Sequence, residues 1–248
     1  MSNSFIGSGK IKIADYSSGN AFSNRQFRDV GNASVFEVSF SQDLKTLRDF
    51  QDPAGGIADS AVRLDIASGQ IDLREFNVAN LALALWGTTA ALNTTAITGE
   101  AGHFIKVNTF MPTNRLINTS VAPVLKKGAT VILTADYTVS KAGITFNSTV
   151  TTGAVADGDA ITIDYTPVAS ADVQALINTA PNVSIMFEGV NAVTGKYSSV
   201  KIYKAKLGVP QNIGLIGEDF GTLSLNFTAQ KDTTVASAGK FLAIEQES

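Results

Sequence analysis

One histidine, no cysteine and three short motifs are all this sequence offers to covalent or metal chemistry. His103 sits in Gly102-His103-Phe104, just ahead of an apolar stretch, with no second histidine to complete a metal site. The lack of cysteine excludes a thiolate nucleophile, a zinc knuckle and an iron–sulfur cluster. Serines are plentiful, yet no Gly-x-Ser-x-Gly elbow presents one as a nucleophile. Gly7-Ser8-Gly9-Lys10 has the outline of a phosphate loop, but Ile11 stands where the Ser/Thr ligand belongs. No strand pattern precedes it, so a flexible N-terminal arm is expected there. Asp157-Gly158-Asp159 pairs two carboxylates around a glycine. A calcium loop needs six or more oxygens at alternating positions, so a hairpin turn is expected instead. No enzyme, cofactor or metal is anticipated.

Nucleic-acid binding is tested by charge. Nineteen basic against 22 acidic residues leave a formal charge of −3, which argues against clamping phosphates by neutralisation. Lys196, Lys201, Lys204 and Lys206 cluster with Tyr197 and Tyr203. In a strand, however, Lys201 and Tyr203 face one way while Lys204 and Lys206 face the other, as on a solvated strand or at a charged subunit contact. Apolar residues make up 44% and charged ones 17%, a globular composition. Met1–Phe5 lacks a basic segment followed by an apolar run, and the apolar stretch Leu81–Trp86 is far too short to cross a bilayer. A soluble chain made in a cytoplasm is expected.

The elements that must position these residues are mostly strands. Period-two alternation runs through Phe36, Val38 and Phe40, then Val62, Leu64 and Ile66, then Ile71 and Leu73, and finally Leu223, Leu225 and Phe227. Such alternation predicts antiparallel sheets with one buried face. Its polar side carries Arg63, Asp65, Asp72 and Arg74 in 60–75, and Ser224, Asn226 and Thr228 in 222–230. Two helices are predicted. Asn77 caps Val78–Trp86, with Leu81, Leu85 and Trp86 as the buried stripe and Gly87 as the left-handed stop. A shorter one starts at Ser170 or Asp172 and runs to Asn178. Residues 41–60, rich in charge and ending in Asp52-Pro53-Ala54-Gly55-Gly56, read as a long functional or disordered loop. A Thr- and Val-rich block at 119–168 reads as a small β subdomain inserted between a first part, 1–118, and a second part, 169–248, of one β-sandwich or barrel.

The stretch 32–87 resembles the major tail tube proteins of long-tailed bacteriophages. The likeness rests on an ordered combination of features. A strand opens at Asn32-Ala33-Ser34-Val35, and a charged loop follows from Leu44 to Gly56. Next come the strand pair from Asp59-Ser60-Ala61-Val62-Arg63 and the helix Asn77-Val78-Ala79-Asn80-Leu81-Ala82-Leu83-Ala84-Leu85-Trp86-Gly87. It extends more loosely to 183–206 and 213–230.

The resemblance implies an antiparallel β-sandwich of the tail tube type with one flanking α-helix. It further implies hexameric rings that stack into a hollow tube, a virion part assembled in the bacterial host cytoplasm. Implied partners are further copies of the chain, tail tip or baseplate and tail terminator proteins, tape measure protein and sheath. Double-stranded DNA would pass through the lumen without specific binding. On this reading the loop residues Arg48, Asp49, Phe50, Asp52, Pro53, Gly55 and Gly56 reach a neighbouring protomer or ring. Arg63, Asp65, Asp72, Arg74, Ser224, Asn226 and Thr228 are the lumen candidates, and the 119–168 insertion lies on the tube exterior. A β-sandwich adhesion, receptor-binding or capsid-decoration protein is the alternative.

Overall fold

The computed structural model describes residues 7–51, 55–236 and 239–248. The chain is mainly antiparallel β and divides into two compact units. One comprises Met1–Thr89 with Val173–Ser248, and the other Ala90–Asp172.

The first unit is built on an eight-stranded sheet. Its strands are β1 (Gly7–Asp15), β2 (Arg28–Asp29), β3 (Ala33–Asp49), β4 (Gly56–Leu73), β5 (Asn182–Asn191), β6 (Tyr197–Leu207), β7 (Leu223–Ala229) and β8 (Leu242–Gln246). Their order is β2-β1-β5-β6-β7-β4-β3, with β8 also paired to β6. Alternation gives each strand an apolar face, and these faces meet in one core of Ile11, Ile13, Ile71, Leu73, Ile185, Ile202, Leu223, Leu225 and Phe227. Burying each such large side chain contributes about 1.5–3 kcal/mol. A second fastening is polar. Arg25 donates from Nη1 to Ser184 Oγ at 2.8 Å and from Nη2 to Asp232 Oδ2 at 2.7 Å, with both ends of the ion pair buried. Burial pushes the Asp232 carboxyl up, but Arg25 and the Thr234 hydroxyl and amide outweigh it and hold the group below its usual range.

Three expectations are corrected. Gly7–Lys10 is not a flexible arm but the start of β1, paired from Gly7 opposite Asn191 onward. Gly9 is small because a Cβ there would stand 2.3 Å from the Glu188 carbonyl oxygen. The helix forms at Val78–Ala84, with Asn77 Oδ1 accepting from Asn80 N at 2.9 Å, but Gly87 is not its left-handed stop. Trp86 takes that conformation (φ 50°), and Gly87 N donates to Ala82 O at 2.8 Å. Glycine is needed at 87 for a different reason, since a Cβ would meet Gln174 O at 2.4 Å. The helix seats Leu81 and Leu83 against the core and buries Asn80 and Ala84, while Leu85 and Trp86 are half-buried. The second predicted helix is a strand over Ser170–Gln174, paired with Thr88–Leu92, because sheet pairing outweighs the local capping signal.

The second unit has its own core, including Ile105, Ile117, Leu125, Ile144, Phe146, Ile163 and Tyr165, between a three-stranded and a four-stranded sheet. It begins at Ala90, ahead of the 119–168 boundaries drawn from sequence. Ile97–Phe104 pairs with Ala160–Tyr165, and Phe110–Pro112 pairs with Gly143–Phe146. Asp136 is buried here. Burial works to raise its carboxyl, yet Thr151 and Thr152 together donate four hydrogen bonds that hold it well below the ordinary range.

Candidate functional site: a hairpin arm and a polar sheet face

β3 and β4 form one long antiparallel hairpin, paired from Ala33 opposite Leu73 to Asp49 opposite Gly56. Residues 41–49 and 56–60 are therefore strand rather than the long loop expected of them. Beyond Phe40 the hairpin carries little to pack on. β3 runs without interruption from Val35 to Asp49, so Phe36, Val38, Phe40, Leu44 and Arg48 project from one face. Phe36 and Val38 pack on the core, whereas Phe40 is 61% exposed and Leu44 54%. Val62, directly opposite Leu44, is also exposed. The core face of the sheet thus continues outward as an apolar stripe that no described residue covers.

A bulge keeps that stripe on one side. Asp65 is the extra residue between the pairs Ser41–Ile66 and Gln42–Leu64. Ser41 Oγ fills the irregularity, accepting from Ile66 N at 3.1 Å and donating to Asp65 Oδ2 at 3.3 Å. An inserted residue of this kind reverses the phase of alternation. Val62 thereby shares a side with Leu44, while Arg63 lies opposite Asp43 and shares the other side with Asp65. At the tip Asp49 Oδ1 accepts from Gln51 N at 2.8 Å, Gly55 turns the chain with φ 62°, and Gly56 pairs with Asp49. Arg48 and Asp49 are strand neighbours facing opposite ways. Phe50 is 86% exposed. Asp52 and Pro53 lie outside the described residues.

Toward the root, the side opposite the core is small and polar. Asp72 is opposite Ser224, Gln70 opposite Asn226 and Ser68 opposite Thr228, and on the other flank Gln70 and Ser68 face Glu37 and Ser39. The structure therefore brings Asp72, Ser224, Asn226 and Thr228 together, whereas Arg63 and Asp65 stand on the arm. Arg74 is committed elsewhere. It donates from Nη1 to Phe220 O (2.9 Å) and Thr222 Oγ1 (2.6 Å), and from Nε to Ser34 Oγ (3.2 Å). These bonds clamp the base of segment 215–220, which lies inside the 213–230 stretch of the likeness but ahead of its strand, Leu223–Ala229. In that segment Leu215, Ile216 and Phe220 are 82%, 100% and 91% exposed.

His103 belongs to a structural cluster. Its Nε2 is 2.9 Å from Glu100 Oε1, and Glu100 Oε2 accepts from the Tyr165 hydroxyl at 2.6 Å. Burial first, and then the hydrogen bond to Glu100 and its charge, push the Tyr165 hydroxyl up to about 12. Among the described residues no group of three His, Asp or Glu side chains is placed to hold a metal. Within the lysine-rich strand, Lys201 pairs with Glu245 at 2.9 Å and Lys204 lies over the Tyr16 ring. No curated protein matches the chain. A family model described as a protein of unknown function, UCP028589, matches residues 4–245, and the chain belongs to that family.

Proposed function

We propose that this protein is a structural subunit of the tail tube type, which assembles with copies of itself into stacked hexameric rings around a passage for double-stranded DNA. The observation that carries this reading is the hairpin arm. It extends the core face of the sheet into solvent as Phe40, Leu44 and Val62, with Phe50 at its end. An apolar sheet face of this kind calls for a protein partner. The open length of β3, which among the described residues pairs with β4 alone, offers an edge that ring closure would complete. On this reading the face of Ser39, Ser68, Gln70, Asp72, Ser224, Asn226 and Thr228 lines the passage. Hydroxyls and amides with a scatter of carboxylates repel or ignore a phosphate backbone, and the chain's formal charge of −3 has the same sign. The protein works as a building block of a virion and performs no reaction.

Negative-stain microscopy of the purified chain tests this directly. Rings or hollow rods are expected, and excision of 44–62 with a short glycine turn should leave a folded, monomeric body. Monodisperse spikes or single subunits under all assembly conditions would favour an adhesion or decoration protein instead. The self-contained core of Ala90–Asp172 suits that alternative.

A further inference from the structure

Two surfaces of the first unit stand out as uncovered and are complementary in chemistry. The first is the arm face of Phe40, Leu44 and Val62. Arg48 is the one charged residue among the same-facing positions 36–48 of β3, and it makes no ion pair among the described residues. The second is the segment 215–220, where Leu215, Ile216 and Phe220 are almost wholly exposed beside Glu218 and Asp219. Its base is rigidly held. Ile213 packs on the core, Arg74 bonds Phe220 O and Thr222, and Gly221 lies against the Phe76 ring.

These surfaces sit at opposite ends of one hairpin. Arg74 ties the 215–220 segment to Ser34 at the root, and at ~3.3 Å rise per residue Arg48 lies roughly 45 Å away. Arg48 therefore cannot reach Glu218 and Asp219 of its own chain. We infer that in the assembly the 215–220 segment of one copy docks on the apolar arm face of the next, with Glu218 and Asp219 meeting Arg48. The proposal rests on the self-assembly reading above and names the surfaces that join successive copies. Because two different patches meet, the contact is head-to-tail and repeats along the hairpin axis, which suits stacking rather than closure into a pair. Each patch offers on the order of 300 Å² of apolar surface, below the roughly 800 Å² per partner of a stable single interface. One contact is therefore too weak to link free subunits, and a ring of them engaging together is strong. Charge sets the direction, since arm against arm would oppose Arg48 to itself.

The chain has no cysteine, so engineered pairs report without background. Ile216→Cys is combined in one chain with Phe40→Cys, Leu44→Cys or Val62→Cys, and assembled rods are oxidised. At least one pair should give a ladder of disulfide-linked multimers on a non-reducing gel, while each single-cysteine variant stays monomeric. In parallel, Arg48→Glu should reduce rod yield about tenfold, as should Glu218→Lys with Asp219→Lys, and the three together should restore it. All these positions are exposed, and circular dichroism verifies that each variant is folded. Rods that form normally with Arg48→Glu, or that give no ladder with any pair, overturn the contact and leave the tube reading intact. Failure of the unaltered chain to form rods at all overturns both.

Discussion

The β3–β4 hairpin is one element with two physical lives. At its root Phe36, Val38, Ile71 and Leu73 are packed, and Gly69 is squeezed beneath the Phe227 ring and the Glu37 carbonyl. In the arm the same strands continue with Phe40, Leu44 and Val62 of equally apolar character, yet half or more of each is in water. Strand pairing continues from root to arm, and what differs is whether other side chains cover the apolar face. Strand formation and burial are therefore separable here. The hairpin forms by its own pairing, and its outer half keeps its hydrophobic free energy unspent until something covers it.

Substitutions in the two halves sharpen that contrast. The largest difference should come from methyl deletion. Ile71→Ala, at a fully buried root position, should cost about 3 kcal/mol in urea unfolding. Val62→Ala in the arm should change the free subunit by less than about 0.5 kcal/mol. Equal costs would mean that the arm is already packed in the monomer. Adding a methyl gives a smaller effect. Gly69→Ala places a Cβ 2.3 Å from both the Glu37 carbonyl oxygen and the Phe227 ring, and should cost about 1–3 kcal/mol. Gly56→Ala meets nothing within 4 Å and should be neutral, as thermal melts would reveal.

The smallest effect is electrostatic and belongs to the body alone. The Asp232 carboxyl is held low by Arg25 and Thr234 against the opposing pull of burial, so its folded value lies below the unfolded one. Its stabilisation is present above about pH 4 and is lost as pH falls through the lower folded value. Urea midpoints of the unaltered chain should decline over that window, and Asp232→Asn should show a shallower decline. An unchanged slope in that variant would dissociate the acid loss from this pair.

Much of the body was legible in the sequence. Leu223, Leu225 and Phe227 alternate cleanly because one sheet face is buried, and Asn77 marks its helix because a capping side chain acts locally. The arm was harder to read. Its charges at Asp43, Lys45, Arg48 and Asp49 look like a loop, since polarity alone cannot distinguish a solvated strand from an irregular connection. One signal did lie in the sequence. Apolar residues occupy even positions at Val62 and Leu64 and odd positions at Ile71 and Leu73, a change of phase that a continuous strand can make only through a bulge, and Ile66 falls beyond it on the polar side. The exposure of the 215–220 segment was hidden inside the 213–230 stretch, because apolar residues without a period resemble any connection. The boundary at Ala90 was equally hidden, because sheet membership is settled by distant partners.

The pairing of β1 with β5 has a consequence for the order in which the molecule takes shape. Gly7 finds its place beside Asn191, so the long pairing of β1 waits until β5 has been made. The stretch Ala90–Asp172 encloses its own core and needs no such wait. During translation it is equipped to fold before β1 and β5 can pair, which leaves that edge of β1 open to misassociation until β5 emerges.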